Sequence, residues 1–465
     1  MWSVLDQALF AGANFVVNVL LARWLSPEAY GAYTVAFTVF LLFSTLHQGM
    51  LTEPMLVFGP GRFKDRLPAY FGTLLRGHLG VSAIGFAVLG AGALGTWAFG
   101  GPLALTVGLL AIAIAQGGIL LTWLTRSMQY VTFEPQRSAV AGAIYAVLLL
   151  GGVAALYAAG VIGEVESTDV LLAVGVTGAA GLLSGLWLVR RGGLWPLPTP
   201  EAEVVREARA QHVEYGRWAV ASGGLDWVAG YLPIMWLSLA GGLAEAGGLR
   251  ALYNFALPAV HVFQVLGTLM VPTFVKALEG GTGRRTLGAL TALAVVLAGI
   301  YGAVLLVAGA PALSLIYDGK FDAYADLMWA VALVPVGIGV VVVLLSCLRA
   351  MERPRQLFWA RIVALVLTVA PLALLGGVTT ARAALLTIVA ISLASALAMG
   401  IDALRHLGTS GASGPDSASG DGPQSPPPAS GDGAGHAHTP EATGEPRLPL
   451  HSASPIPPPE AEPWT

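Results

Sequence analysis

The sequence predicts an all-α polytopic membrane protein of about twelve transmembrane helices. They fall into two six-helix bundles related by a pseudo-two-fold axis along the membrane normal. Three observations predict this. The 465 residues are 55% hydrophobic and 11% charged, with a mean hydropathy of +0.72, whereas soluble globular chains carry about 25% charged residues. Apolar runs near the ~20 residues that one helix needs to cross a bilayer recur up to about residue 405. Basic residues also concentrate in alternate loops. Lipid offers no partner to backbone polar groups, so isolated spans satisfy their own as helices. The ~10-residue alternating segments of a membrane β-barrel are missing.

Taken in order, the spans are expected at 4–22, 31–57, 70–99, 102–123, 138–160 and 169–189, then at 218–240, 250–275, 287–309, 326–348, 358–376 and 382–404. Loops after even-numbered spans hold most of the arginines and lysines, from Arg62, Lys64 and Arg66 through Arg126, Arg190 and Arg191 to Arg349, Arg353 and Arg355. Loops after odd-numbered spans hold only Arg23, Arg250, Lys320 and Arg382, with the acids Glu164, Glu166 and Asp318. The positive-inside rule then places both termini in the cytoplasm. The first run begins almost at Met1 with no basic leader or cleavage site. It reads as an uncleaved anchor, or as a start that has lost a short basic leader.

Residues 190–217 are the longest internal loop, with the stiff WPLPTP followed by a charged helical piece expected to lie along the membrane surface. This segment links an N-terminal bundle, 1–189, to a C-terminal bundle, 218–405. An internal echo supports the division: EPMLV (53–57) and VPTFV (271–275) put a proline late in the second span of each half. Residues 406–465 are Gly/Pro/Ser-rich and read as a disordered cytoplasmic tail. His436 and His438 there are too few and too loosely held for a metal site. The lone Cys347 rules out an intrachain disulfide and reads as a small core residue.

Enzyme chemistry finds no support. No P-loop, HExxH motif or Cys/His metal spacing occurs. The largest outer stretch, 310–326, offers Asp318, Asp322 and Asp326 without a histidine partner, as in a solvated turn. A transporter is the leading class, with no cofactor, no metal and no nucleic-acid partner. Polar residues inside spans are then its candidate sites. Asn14 and Asn18 share a face of span one, as a cavity wall or as interhelical hydrogen bonders. Glu53 and Arg76 lie at similar depths in spans two and three, where they could pair as an internal gate. Asp226 lies near the midplane of span seven, with no basic residue close by on its own helix. With His261 it could carry a proton, or it could bind Na⁺. Asn254 and Gln264 border His261 on span eight.

The opening LDQALFAGANFVVNVLLARWLSPEAYGAYTVAFTVF, with Asn14, Phe15, Leu20 to Arg23, Leu25, Pro27, Tyr30, Gly31 and Tyr33, resembles polysaccharide flippases of the O-antigen and teichoic-acid export type. These belong to the multidrug/oligosaccharidyl-lipid/polysaccharide exporter superfamily. YGRWAVASGGLDW (215–227) and IYDGKFDAYAD (316–326) are similar to it too, and the likeness covers nearly all of 1–405. The resemblance implies alternating access, driven by an H⁺ or Na⁺ gradient, in a bacterial inner membrane. Its implied cargo is a polyprenyl-pyrophosphate-linked oligosaccharide, handled together with membrane lipids and other polysaccharide-assembly proteins. Asn14, Asn18, Gln48, Asn254 and Gln264, with Trp227 and Tyr253, could meet the sugar, and Arg76 the pyrophosphate. Some members carry more cavity arginines than Arg76 and Arg361, the two placed inside spans. A drug/cation antiporter of the same superfamily, a membrane glycosyltransferase or polymer ligase, and a non-transporting scaffold are the alternatives.

Overall fold

The computed structural model describes residues 2–163, 165–351, 354–374 and 377–409. The tail from 410 on, with His436 and His438, lies outside them, as do Glu164 and Arg353. Among the described residues every regular element is helical. The first bundle is α1 (Trp2–Trp24), α2 (Pro27–His47), α3 (Glu53–Phe58), α4 (Leu67–Ala98), α5 (Leu103–Val131), α6 (Pro135–Ala158) and α7 (Glu166–Arg191). The second is α8 (Ala202–Ala240), α9 (Leu243–Asn254), α10 (Leu257–Glu279), α11 (Gly283–Tyr317), α12 (Met328–Ala350), α13 (Pro354–Leu374) and α14 (Ala381–Thr409). Among the described residues nine helices, with α2 and α3 counted as one, are long and apolar enough to cross a membrane, and the bent α10 makes a tenth. With α8 and α13, at 39 and 21 residues, the crossings come to the expected twelve. Packing repeats between the halves: α5 on α4 and α7 in one, α12 on α11 and α14 in the other.

Three boundaries differ from the sequence expectation. Span four runs on to Val131, so Arg126 is inside a helix and not in a loop. The linker helix and span seven are one continuous helix, α8, so residues 202–217 are not a separate surface piece. A two-residue turn follows α8, made possible by Gly242 at φ 94°. Span eight therefore begins at Leu243, which draws Arg250 out of the expected loop and into α9.

The repeated proline removes a backbone hydrogen bond late in the second span of each half, with a different outcome in each. Proline has no N–H for the carbonyl four residues back. Pro272 leaves the Thr268 carbonyl without that donor, and α10 bends by 41° between Leu257–Gly267 and Leu269–Glu279. Pro54 does the same to Met50, inside a π-helical turn, Gln48–Thr52, that joins α2 to α3. Here the orphan carbonyl is satisfied from another helix: His212 of α8 donates from Nδ1 to Met50 O at 2.7 Å, and its Nε2 meets Tyr70 Oη at 2.7 Å. Arg62 and Arg66 bind Glu207 at 2.5 and 2.9 Å. The foot of α8 is thus fastened to the first bundle.

The apolar core has an uneven plan. At the end away from the arginine-rich loops one buried cluster joins both bundles, from Leu21, Tyr30 and Ala32 to Leu249, Tyr317 and Leu385. Toward the basic end it splits in two. One cluster, with Met55, Tyr70 and Met128, belongs to the first bundle and the foot of α8. The other, with Phe274, Val343 and the buried free Cys347, belongs to the second bundle.

Candidate functional site

Where the shared core gives way to the divided one, the bundles enclose a cavity of about 420 Å³. Asn14 and Asn18 of α1, Trp123 of α5 and Tyr145 of α6 form one wall; Tyr231, Arg250, Tyr253, His261 and Gln264 form the other. Among the described residues no Asp or Glu lines it. Asn14 is fixed in place: its Nδ2 donates to Phe10 O at 2.8 Å, and Tyr145 Oη donates to its Oδ1 at 2.9 Å. Tyr145 stacks on Phe10 at 4.4 Å. The wall is therefore aromatic and amide-bearing, and it is held rigid by its own hydrogen bonds.

Arg250 is the cation of this cavity. Tyr231 and Tyr253 line the cavity beside it, and Tyr30 and Tyr33 are its further tyrosine neighbours. No carboxylate among the described residues forms an ion pair with it. Sequence reasoning missed it by assigning its charge to a loop. The signal was the brevity of the Gly241–Gly242 turn.

A smaller pocket of about 230 Å³ lies toward the basic end and shares Phe10 and Trp123 with the main cavity. Gln48, Thr52 and Arg126 line it. Arg126 is spoken for: it binds the fully buried Asp6 through Nε at 3.0 Å and Nη2 at 2.9 Å, and its guanidinium lies 4.0 Å over the Phe10 ring. Tyr130 Oη donates to Asp6 Oδ2, the oxygen that Arg126 Nη2 also meets, at 2.6 Å.

Of the candidates read from sequence, Asn14, Asn18, His261 and Gln264 line the main cavity, and Gln48 lines the smaller one. Asn254 is buried behind the wall, its amide donating to Tyr30 Oη at 3.0 Å and Tyr317 Oη at 3.3 Å. Arg76 lines neither pocket and donates to its own helix at Gly72 O, 3.1 Å. No ion pair joins it to Glu53 among the described residues. Equal depth on adjacent helices did not supply equal facing. The cation whose field reaches Glu53 is Arg349, at the end of α12 in the other bundle. Asp226 is not lone: Arg361 of α13 pairs with it, away from the cavity lining. Asp318 caps α11 at φ 58°, Asp322 accepts from Ser314 Oγ at 3.1 Å and Asp326 pairs with Arg382.

No protein-family model matches the chain, and no curated protein sequence does. Solved structures do. An inward-facing multidrug-resistance MATE family transporter of the MOP superfamily superposes with a TM-score of 0.71 at 12% identity, over 88% of this chain and 96% of that one. A MOP superfamily transporter from Pyrococcus furiosus, described as having a binding pocket of reverse polarity, gives 0.62 at 12% identity over 88% and 94%. The eukaryotic MATE transporter AtDTX14 gives 0.53 at 13% over 88% and 98%. The fold is that of the MOP superfamily transporters. An outward-facing MATE structure superposes with a TM-score of 0.54 at 11% identity.

Proposed function

We propose that the protein flips a polyprenyl-pyrophosphate-linked oligosaccharide from the cytoplasmic to the outer leaflet of a bacterial inner membrane, for surface polysaccharide synthesis. The basic end is the cytoplasmic one, with both termini there, as the loop charges favour. Cargo reaches the cavity from that side. One observation carries the proposal: Arg250, a cation with no carboxylate partner among the described residues, stands in a cavity walled by amides, tyrosines and a tryptophan. An anionic headgroup supplies the missing charge, because a guanidinium binds pyrophosphate oxygens in a forked, charge-assisted geometry. Sugar rings fit the aromatic faces and amides. No catalytic constellation accompanies the cavity, which favours a carrier over a glycosyltransferase or ligase. Other polysaccharide-assembly proteins are proposed as its partners.

The fold likeness alone fits a drug/cation antiporter equally well, and the chemistry of the wall separates the two. A cationic drug would meet Arg250 and no carboxylate, which is repulsive. The test is flipping of a lipid-linked oligosaccharide by the full chain in proteoliposomes. Wild type flips it, and Arg250→Gln loses roughly tenfold or more, the order expected when a charge-assisted contact is removed. Absence of flipping with any such lipid, together with clear drug/H⁺ exchange, would overturn the assignment.

A further inference from the structure

A second polar cluster lies inside the first bundle, apart from the cavity. His47, the last residue of α2, and His78 of α4 are both buried, and His47 Nε2 lies 3.1 Å from His78 Nδ1. Ser82 Oγ approaches the same His78 nitrogen at 3.5 Å, and Gln116 of α5 donates to Ser82 O at 2.7 Å. The network is incomplete at both ends: His47 Nδ1 and Gln116 Oε1 are buried without partners. A buried polar atom left unpaired is costly, and such groups mark sites that take up something small.

The N···N distance decides what is taken up. Two nitrogens at hydrogen-bond distance leave room for a hydrogen between them and for nothing larger. Among the described residues no third His, Cys, Asp or Glu completes a metal set. The neutral pair already shares one hydrogen. A further proton makes it an imidazolium–imidazole pair with a charge-assisted bond, and a second is opposed by like charge 3.1 Å away. The charged and titratable groups nearest the pair in sequence and packing include Arg76 on α4, Glu53 on α3, Arg126 on α5 (held by Asp6), and His212, Glu214, Tyr215 and Arg217 on α8. None bonds to either ring.

We propose that the His47–His78 pair is a single-proton binding site inside the first bundle, empty in the conformation described and loaded when the bundles open at the other end. With His47 Nε2 as the donor of the shared hydrogen, an added proton at His47 Nδ1 would leave an imidazolium N–H with no acceptor in this conformation, which costs more than an orphan lone pair. The path out is short. Gln48 and Thr52, on the π-helical turn that starts after His47, line the smaller pocket toward the basic end. A proton loaded from outside and released there drives cargo the opposite way. That last step rests on the flippase assignment; the proton site does not.

The full chain in proteoliposomes tests it, with an imposed pH gradient and with proton uptake and lipid flipping followed separately. His47→Asn and His78→Asn should each lose about tenfold of the gradient-driven rate while gradient-free exchange stays within about twofold, since only the coupling step is removed. Retention of the full gradient response by either variant overturns the proposal. Should the variants fold poorly, ¹⁵N-histidine spectra of the wild type decide. Uptake of one proton shared by the two rings supports the site; independent titration, or no uptake under any gradient, overturns it. Proton uptake without oligosaccharide flipping would leave the site standing and remove the cargo assignment. Flipping indifferent to the gradient would do the reverse.

Discussion

The two ends of the molecule are built on different plans. Away from the arginine-rich loops, both bundles contribute to one core, and α2 meets α9 so closely that glycines are obligatory. A Cβ on Gly31 would stand 1.8 Å from Leu243 O, and one on Gly247 2.4 Å from Pro27 O. Polar clasps reinforce the contact: Arg23 Nη1 donates to Leu315 O and Ile316 O at 2.8 and 3.0 Å, and Lys320 Nζ to Trp24 O and Leu25 O at 3.2 and 3.0 Å. At the basic end each bundle keeps its own core, and α8 is fastened to the first bundle. Contacts across the shared core therefore set the conformational balance, while contacts inside one bundle set its stability.

Asp6 puts the second half of that statement at risk. Asp6→Asn would strand Arg126 as a buried unpaired charge, at a cost of about 3–5 kcal/mol. The expected result is a lowered melting temperature with little change in which end is open, and Asp6→Leu/Arg126→Met should recover much of the loss. A shift in conformation instead would mean that the pair works between bundles. Gly31→Ala and Gly247→Ala probe the shared core. Overpacking costs about 1–3 kcal/mol, enough to move a two-state balance some 5- to 150-fold toward opening at that end. Thiol accessibility of a cysteine placed at Ala29 reads this out; unchanged protection would refute the single-core description.

Glu53 and Arg349 come from opposite bundles, and among the described residues no ion pair joins them, although the charge of Arg349 reaches Glu53. Glu53→Gln or Arg349→Gln should leave the present conformation within about twofold but weaken closure of the basic end, by roughly the 1 kcal/mol of a solvent-screened pair. Equal effects from Arg76→Gln would restore the gate within one bundle that the sequence suggested. The smallest effect is expected at Glu207. Its hydrogen bond from Arg62 holds the carboxyl below its ordinary value of 4.5. With the folded value depressed, its contribution is present above pH 4.5 and lost as pH falls through the lower folded value. Hydrogen exchange at the foot of α8 should rise only in that acidic window, and Glu207→Gln should remove the dependence.

Hydropathy and loop charge were enough for the architecture, because span length and basic-loop asymmetry are one-dimensional properties. A place in the cavity wall was legible where depth and face both follow from one helix, as for Asn14 and Asn18, or for His261 and Gln264. They were illegible where the partner comes from another helix. Asp226 looked unpaired because Arg361 is 135 residues away. Glu53 was matched with Arg76 by depth, while the cation whose charge reaches it, Arg349, lies in the other half. Arg250 and Arg126 were assigned to loops because a charge near a span end reads as its boundary. His47 and His78 lie on separate helices, 31 residues apart, and no motif spacing announces them.

The fastening of α8 also bears on how the chain is made. Polytopic chains enter the membrane N-terminus first. By Arg191, the end of α7, the first bundle has its helices, and it already presents the Met50 carbonyl, Tyr70, Arg62 and Arg66. The next helix to emerge brings Glu207 and His212, which fit those groups. The first turns of the second half thus have a landing place before any helix of their own bundle exists, and assembly of the later helices can proceed from a strut already in position.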